Sequence, residues 1–394
     1  MTMLNRRTLF TSTAAAATIA QDTFLGRSAQ AANRLDVEPR GTIGRLERLP
    51  RLDLESQHDF ITGFRQFVNG EMTRAAEARI NALLKAKGLD PTSDLPIDTI
   101  LEHTANDPVI ANSARSWLSA QQLSWRTLRN EFHGNKDAYL SEMEAADKSG
   151  PGSLELNPGI ELPDYTRHEI HIQPGGYVGD PFAGHSYLYG TNNFYTGRNN
   201  QDELHITLAN VLPLPADGKV IRILEQGTSC GQLAVALKQR FPNAEVWGID
   251  CGGPMVRFAH MRAADLGVEV HFAQRLAEDS KFPDNHFDII TNNIMFHEVS
   301  PEGIHAVLKE SMRTLRPGGV YFPIDFFTGS PPSKTAFSKF RSWWDSRWNG
   351  EPWRLEYAAF DFNGAMLKAG FDVNENGPAA RPGSKSNVMG TKRA

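Results

Sequence analysis

Only two cysteines, Cys230 and Cys251, occur in 394 residues. That scarcity excludes a disulfide framework and any CxxC-type metal pattern. No apolar run reaches the 18 or so residues of a membrane span. Neither sign of charge dominates: the formal net charge is -5, which gives no electrostatic reason to expect nucleic acid as a partner. Internal repeats are absent as well. What remains is the composition of a soluble globular protein, 40% apolar and 22% charged, long enough for one large or two ordinary domains.

The N-terminus carries an export pattern. Arg6 and Arg7 precede Thr8, Leu9 and Phe10, a mild apolar stretch follows to Ala20, and Ala29-Gln30-Ala31 fits a small-x-small cleavage site. Residues 1–31 thus resemble a twin-arginine signal, which implies a periplasmic or exported protein, and a cytoplasmic one if the signal is not used. Residues 32–52, rich in Arg and Pro without periodicity, read as a linker.

Helical spacing dominates residues 53–148. Phe60, Phe64, Phe67, Met72, Ala75, Ile80, Leu83 and Leu84 recur at helical intervals up to Gly88. Asp107-Pro108 opens a second long helix in which Trp117, Leu118, Leu123, Trp125 and Leu128 supply packing. Ser149-Gly-Pro-Gly-Ser153 breaks this region. Residues 160–204 then concentrate His168, His171, His185, Tyr177, Tyr187, Tyr189 and Tyr195 among Gly, Pro and Asn. Such a segment cannot form a dry core alone; it reads either as a cap over a site or as a surface excursion. His168 and His171 lie three apart, and on a strand they would face opposite sides, so no shared metal is expected.

From residue 205 onward, short Val/Ile-rich strands alternate with helical stretches. They are expected at 220–225, 244–249, 268–273, 286–292, 318–325, 371–375 and 386–392, with the last antiparallel because the gap before it is too short for a helical crossover. The fold class is therefore α/β: a seven-stranded, mostly parallel Rossmann-like sheet, preceded by a helical region. The first strand delivers Glu225 at its carboxyl end, and Gly227, Ser229 and Gly231 alternate through the turn into a helix. Small residues there let a ligand approach the backbone. The second strand ends at Asp250, where a carboxylate can accept both hydroxyls of a ribose diol.

The run E-x-G-x-S-x-G from Glu225, the strand-end Asp250, AEDSKFPDNHFD from Ala277 and LRPGG from Leu315 together resemble class I S-adenosylmethionine-dependent methyltransferases, in their small-molecule branch. The resemblance covers about residues 215–325. It implies S-adenosyl-L-methionine as cofactor, with Glu225, Gly227, Ser229 and Gly231 beside its methionine part and Asp250 and the adjacent Cys251 at the ribose. Ala277 and Glu278 would flank the adenine, and Asn293 would face cofactor and acceptor. Ser229 stands where the pattern has its middle Gly, and Leu276 where an acid often supplies an adenine hydrogen bond.

Methyl transfer asks the protein for orientation, desolvation and a base for the acceptor. His297 and Glu298, in NNIMFHEVS, and His185 are the candidate bases. The aromatic cap suits a small-molecule acceptor in an enclosed pocket. Two other readings stand beside this one. Gly227-Thr-Ser-Cys-Gly231 also fits the G-x-S-x-G nucleophile elbow of an exported hydrolase, and the same loop would serve a module that binds the cofactor without turnover. Cys230 and Cys251 fall at neighbouring strand tips, either as packed free thiols or as a redox-sensitive pair.

Overall fold

The computed structural model describes residues 52–326, 328, 333–380 and 386–393. The expected signal, and the linker as far as residue 51, lie outside these described residues. The first helices are α1 (Leu52–Phe67), α2 (Thr73–Ala86), α3 (Ile97–Thr104), α4 (Pro108–Gly134) and α5 (Lys136–Ala146), with a π-helical turn, Val68–Met72, between α1 and α2. α4 starts where the sequence places it. The Asp107 carboxylate accepts from the Val109 and Ile110 amides, and Pro108 occupies the first helical position.

The packed stripe of α1 differs from the one its Phe residues suggest. Phe60 and Phe67 are 71% and 52% exposed, whereas Leu54, His58, Ile61, Arg65 and Val68 form the buried row. Their spacing of four, three, four and three is helical, but two of the five are polar and disguise it. Burial of Arg65 is supported: its guanidinium lies 3.9 Å over the Trp117 ring and donates to the Trp117 carbonyl and to Gln121.

After α5 come β1 (Ser153–Glu155), α6 (Ala183–Phe194), α7 (Glu203–Val211), β2 (Arg222–Gln226), α8 (Gln232–Arg240), β3 (Glu245–Asp250) and α9 (Gly253–Leu266). The chain continues through β4 (His271–Gln274), β5 (Phe287–Asn293), α10 (Pro301–Thr314), β6 (Leu315–Ile324), α11 (Ala336–Trp348), α12 (Arg354–Ala359), α13 (Phe362–Ala369), β7 (Asp372–Asn374) and β8 (Met389–Thr391). The strands form one sheet of order β1-β4-β3-β2-β5-β6-β8-β7, parallel except for β8. All seven expected strands are present. β1 is an eighth, pairing parallel to β4 at the edge.

Side-chain alternation explains the two helical layers. In β2 and β5, Ile223 and Ile289 point to a core shared with Leu208, Leu233 and Val256 of α7, α8 and α9. Their neighbours Leu224 and Ile290 point to the opposite core, with Ile304 and Leu308 of α10 and Met366 of α13. Period-two strands that are apolar at consecutive positions must be covered on both faces. The N-terminal helices join this body through Val68, Ile80, Ile110 and Trp117, which pack on Phe340 and Trp344 of α11. No described helix is long and apolar enough to cross a membrane.

Candidate active site

Strand order reverses around β2: the chain runs outward through β3 and β4, then returns to place β5 on the other side. In such sheets the crevice beyond the carboxyl ends of the strands at the reversal is the natural ligand site. A cavity opens there, with an empty volume of about 810 Å³ counted with its solvent-open mouth.

The loop after β2 shapes its floor. Gly227, Ser229 and Gly231 all have positive φ (63°, 53° and 76°), which makes the tight turn from strand into α8. A Cβ at Gly227 would meet the Met295 sulfur at 2.8 Å, so a side chain there would both strain the backbone and fill the cavity. Asp250 ties this loop to the tip of β3. Its Oδ2 accepts from the Ser229 amide at 2.9 Å and its Oδ1 from the Gly252 amide at 2.8 Å. Burial raises the Asp250 pKa, against the lowering effect of those two amides.

Gly227, Ser229, Asp250, Cys251, Ala277, Glu278, Asn293 and Glu298 line the cavity. Glu225, Gly231, His297 and His185 do not. Glu225 lies beneath the floor, accepting from the Thr228 hydroxyl at 2.6 Å, and burial raises its pKa to about 8. Cys230 and Cys251 are both free thiols.

The 160–204 segment supplies the roof through Tyr165, Thr166, Ile170, Tyr177, Val178 and Tyr187. Tyr165 donates to Glu278, whose pKa is raised chiefly by burial. His185 is turned away on α6 and caged by Phe258, Phe132, Phe182 and Tyr139, with ring centroids 4.5, 4.9, 5.6 and 5.7 Å away. Burial drives its pKa down to about 3. An imidazole that stays neutral and faces no cavity is packing, so the expected base role has no geometry behind it here.

This cage has a measurable consequence. Between pH 6.5 and about 3 the unfolded chain protonates His185 and the folded chain does not, so stability falls as pH falls through that window. The His185→Phe variant is expected to escape this loss. Relative to wild type it should gain roughly 1.4 kcal/mol between pH 7.5 and 5.5, measured by urea unfolding at both values. Equal pH dependence in the two proteins would show that the ring is protonated inside its cage.

His297 and Glu298 sit in a 3-10 turn just past β5. His297 is 1% exposed. Burial lowers its pKa, but the Asp325 carboxylate at the end of β6 more than reverses this, so the net direction is upward. Its Nδ1 is 3.0 Å from Asp325 Oδ1, and its Nε2 is 3.6 Å from Glu298 Oε1. Burial raises Glu298 to about 8, with His297 pulling it down and Glu351, Asp325 and Asp250 pushing it up. His171 comes to the same place: its Nε2 is 3.8 Å from Glu298 Oε1 and 3.4 Å from Glu351 Oε1. Asp325 and Glu351 were not among the residues expected at the site, and His171 was singled out only as part of the cap segment. Asp325 left a signal, an acid directly after the LRPGG strand; Glu351 left none.

The cavity fits the cofactor implied by the motifs. The backbone at Gly227 is bare, Asp250 retains acceptor capacity beyond its two amides, and the Asn293 Oδ1 on the cavity wall is buried without a hydrogen-bond partner. The nucleophile-elbow reading fares less well, because among the described residues no histidine is hydrogen-bonded to Ser229.

Residues 223–319 match the family model described as a methyltransferase domain. Demethylmenaquinone methyltransferase of Thermus thermophilus is 39% identical over 116 residues, which are 29% of this chain and 50% of that one. A ubiquinone/menaquinone biosynthesis C-methyltransferase of Cupriavidus pinatubonensis is 32% identical over 117 residues, 29% of this chain and 47% of that one. The chain thus spans about half the length of the curated relatives it matches. Among solved structures, a TehB-like S-adenosylmethionine-dependent methyltransferase of Corynebacterium glutamicum superposes with a TM-score of 0.36 and 14% identity, over 54% of this chain and all of that one. Residues 223–319, which carry the central strands of the Rossmann-like sheet, are thus similar to a methyltransferase domain.

Proposed function

We propose that the whole protein is an S-adenosylmethionine-dependent methyltransferase acting on a small-molecule acceptor, exported by the twin-arginine-type signal at its N-terminus. The observation that carries the reading is the cavity itself: loop 227–231, Asp250, Ala277 and Asn293 line or frame one volume at the strand reversal, roofed by tyrosines. When bound, the cofactor supplies an already activated methyl group. This chain's residues have the remaining tasks.

Asp250, with Cys251 beside it, would hold the ribose, and the bare backbone at Gly227 would admit the methionine portion. Ala277 and Glu278 would border the adenine. The Tyr165–Glu278 hydrogen bond then closes the roof over that end. The aromatic roof excludes water and holds an apolar or aromatic acceptor against the wall formed by Asn293, Ile294 and Met295. Ile294 is held at a φ of 48°, unusual for a β-branched residue and consistent with a site that over-determines its backbone. Glu298 lines this space beside Ile294 and Met295, with His297 directly behind it, so the pair is the candidate to accept an acceptor's proton.

The two curated relatives named above are quinone-pathway methyltransferases by name, which makes quinones and phenols the first acceptors to try. Calorimetry with S-adenosylmethionine, followed by transfer of a labelled methyl group to a panel of such small molecules, tests the reading. One equivalent bound and label recovered in a small product support it. Binding without any transfer across the panel would favour a module that only binds the cofactor, and no binding at all would end the assignment.

A further inference from the structure

Beside the cavity, two imidazoles and two carboxylates converge from three segments that are remote in sequence. His171 comes from the roof, His297 and Glu298 from the turn after β5, and Glu351 from the residues before α12. One ring nitrogen of His171, one of His297 and a Glu298 oxygen all lie within 4.8 Å of one another. We propose that His171, His297 and Glu298 bind a divalent transition-metal ion.

Each imidazole is oriented for this by its other nitrogen. His297 Nδ1 donates to Asp325 at 3.0 Å, and Asp325 is itself fixed by the Phe296 and Phe326 amides at 2.7 and 2.6 Å. His171 Nδ1 lies 2.7 Å from the Tyr177 hydroxyl. Both Nε2 atoms face Glu298 Oε1, 3.8 Å and 3.6 Å away. A carboxylate or hydroxyl on the far nitrogen is the usual way a metal-binding histidine is held. Four-coordinate ligands about 2.1 Å from an ion stand ~3.4 Å apart, so a small inward movement completes the shell.

The backbone that presents His171 is strained. His171 and Ile172 have φ of 54° and 51°, and the second is β-branched, for which this region is costly. Two donors from α4, Trp125 Nε1 at 2.8 Å and Gln121 Nε2 at 3.1 Å, clamp the His171 carbonyl in that turn.

Charge points the same way. The carboxylates of Glu298, Glu351 and Asp325 crowd around the two imidazoles, and Arg354 Nε lies 3.6 Å from Glu351. Buried carboxylates need compensation, and a divalent ion supplies it. Two imidazoles with carboxylate favour ions such as Zn²⁺, Fe²⁺, Co²⁺ or Ni²⁺ over Mg²⁺ and Ca²⁺, which prefer oxygen throughout. Because Glu298 lines the cavity, the ion would keep one side open to it. If the methyltransferase reading holds, that side would take an acceptor hydroxyl or thiol, orienting it and making its proton easier to lose. The metal site itself does not depend on that reading.

The test uses the full chain, stripped with chelator and titrated with Zn²⁺ by calorimetry, then with Co²⁺ by visible absorption. One ion per chain is expected, with a d–d spectrum of nitrogen and oxygen ligation and a higher Tm in its presence. His171→Ala and Glu298→Gln should each weaken Zn²⁺ binding at least ~100-fold, while His168→Ala, an exposed neighbour outside the cluster, should leave it unchanged. Glu298→Gln preserves shape, and circular dichroism of each variant separates loss of a ligand from loss of fold. Absence of binding, or binding equally strong in folded Glu298→Gln and His171→Ala proteins, would overturn the site and show that protons rather than a metal hold the cluster together. Neither cofactor nor acceptor is present, so this failure is distinct from failure of the methyltransferase reading.

Discussion

Replacing Asp250 with alanine is expected to weaken S-adenosylmethionine binding roughly 30- to 1,000-fold, about 2–4 kcal/mol, through loss of a charge-assisted pair of hydrogen bonds to the ribose. The geometry adds a second contribution. Asp250 accepts from the Ser229 and Gly252 amides, so the alanine variant also loosens the loop that the methionine portion would lie against. Asp250→Asn separates the two. Its single carbonyl oxygen can keep one amide, while the charge and half the acceptor capacity are lost. Calorimetry on both variants, with thermal unfolding as a control, is the measurement. Affinity intermediate for Asn and weakest for Ala is the expected order. A folded Asp250→Ala protein with wild-type affinity would remove Asp250 from the cofactor site.

Much of the central sheet was legible because its strands carry adjacent apolar residues and because β2 leads into Gly227 and β3 ends in Asp250. β2, β3 and β5 each lie within one or two residues of the expected bounds, and Asp250 falls at the end of its strand. β1 escaped notice because three residues after a Gly-Pro-Gly break carry no periodicity. α6 was hidden for a different reason. Its sequence, AGHSYLYGTNNF, is poor in helix formers, and packing rather than propensity holds it. A Cβ at Gly190 would fall 2.0 Å from the Trp125 ring, so the glycine is what lets α6 lie against α4. The histidines show the limit most clearly. His185 and His171 look alike as polar residues among aromatics, yet one is caged away from the cavity and the other reaches Glu298 and Glu351. Local sequence fixes neither outcome, because each depends on partners far off in the chain.

The same long-range dependence makes Asp202 the position where a single substitution should cost the fold most. It is 2% exposed, precedes α7 with φ at 58°, and receives Arg262 of α9 on one oxygen and Gln232 of α8 on the other. Three elements around the cofactor loop therefore meet at one carboxylate. Burial raises its pKa in spite of Arg262, and in any such buried pair desolvation offsets much of the Coulombic gain. Breaking it is another matter. Arg262 is 5% exposed, and its Nε and Nη1 are buried without hydrogen-bond partners, so removal of Asp202 leaves an uncompensated guanidinium in the interior. Asp202→Ala is expected to destabilise by about 3–5 kcal/mol, a large share of the ~5–15 kcal/mol that holds a typical domain. Asp202→Asn keeps the Gln232 acceptor and tolerates the left-handed backbone, so it should cost less. Adding Arg262→Leu to Asp202→Ala should recover much of the loss, because the stranded charge is then gone. Urea unfolding of the two single variants and the double variant completes the cycle. A loss under about 1 kcal/mol for Asp202→Ala would mean that water reaches Arg262 and that the junction is not sealed.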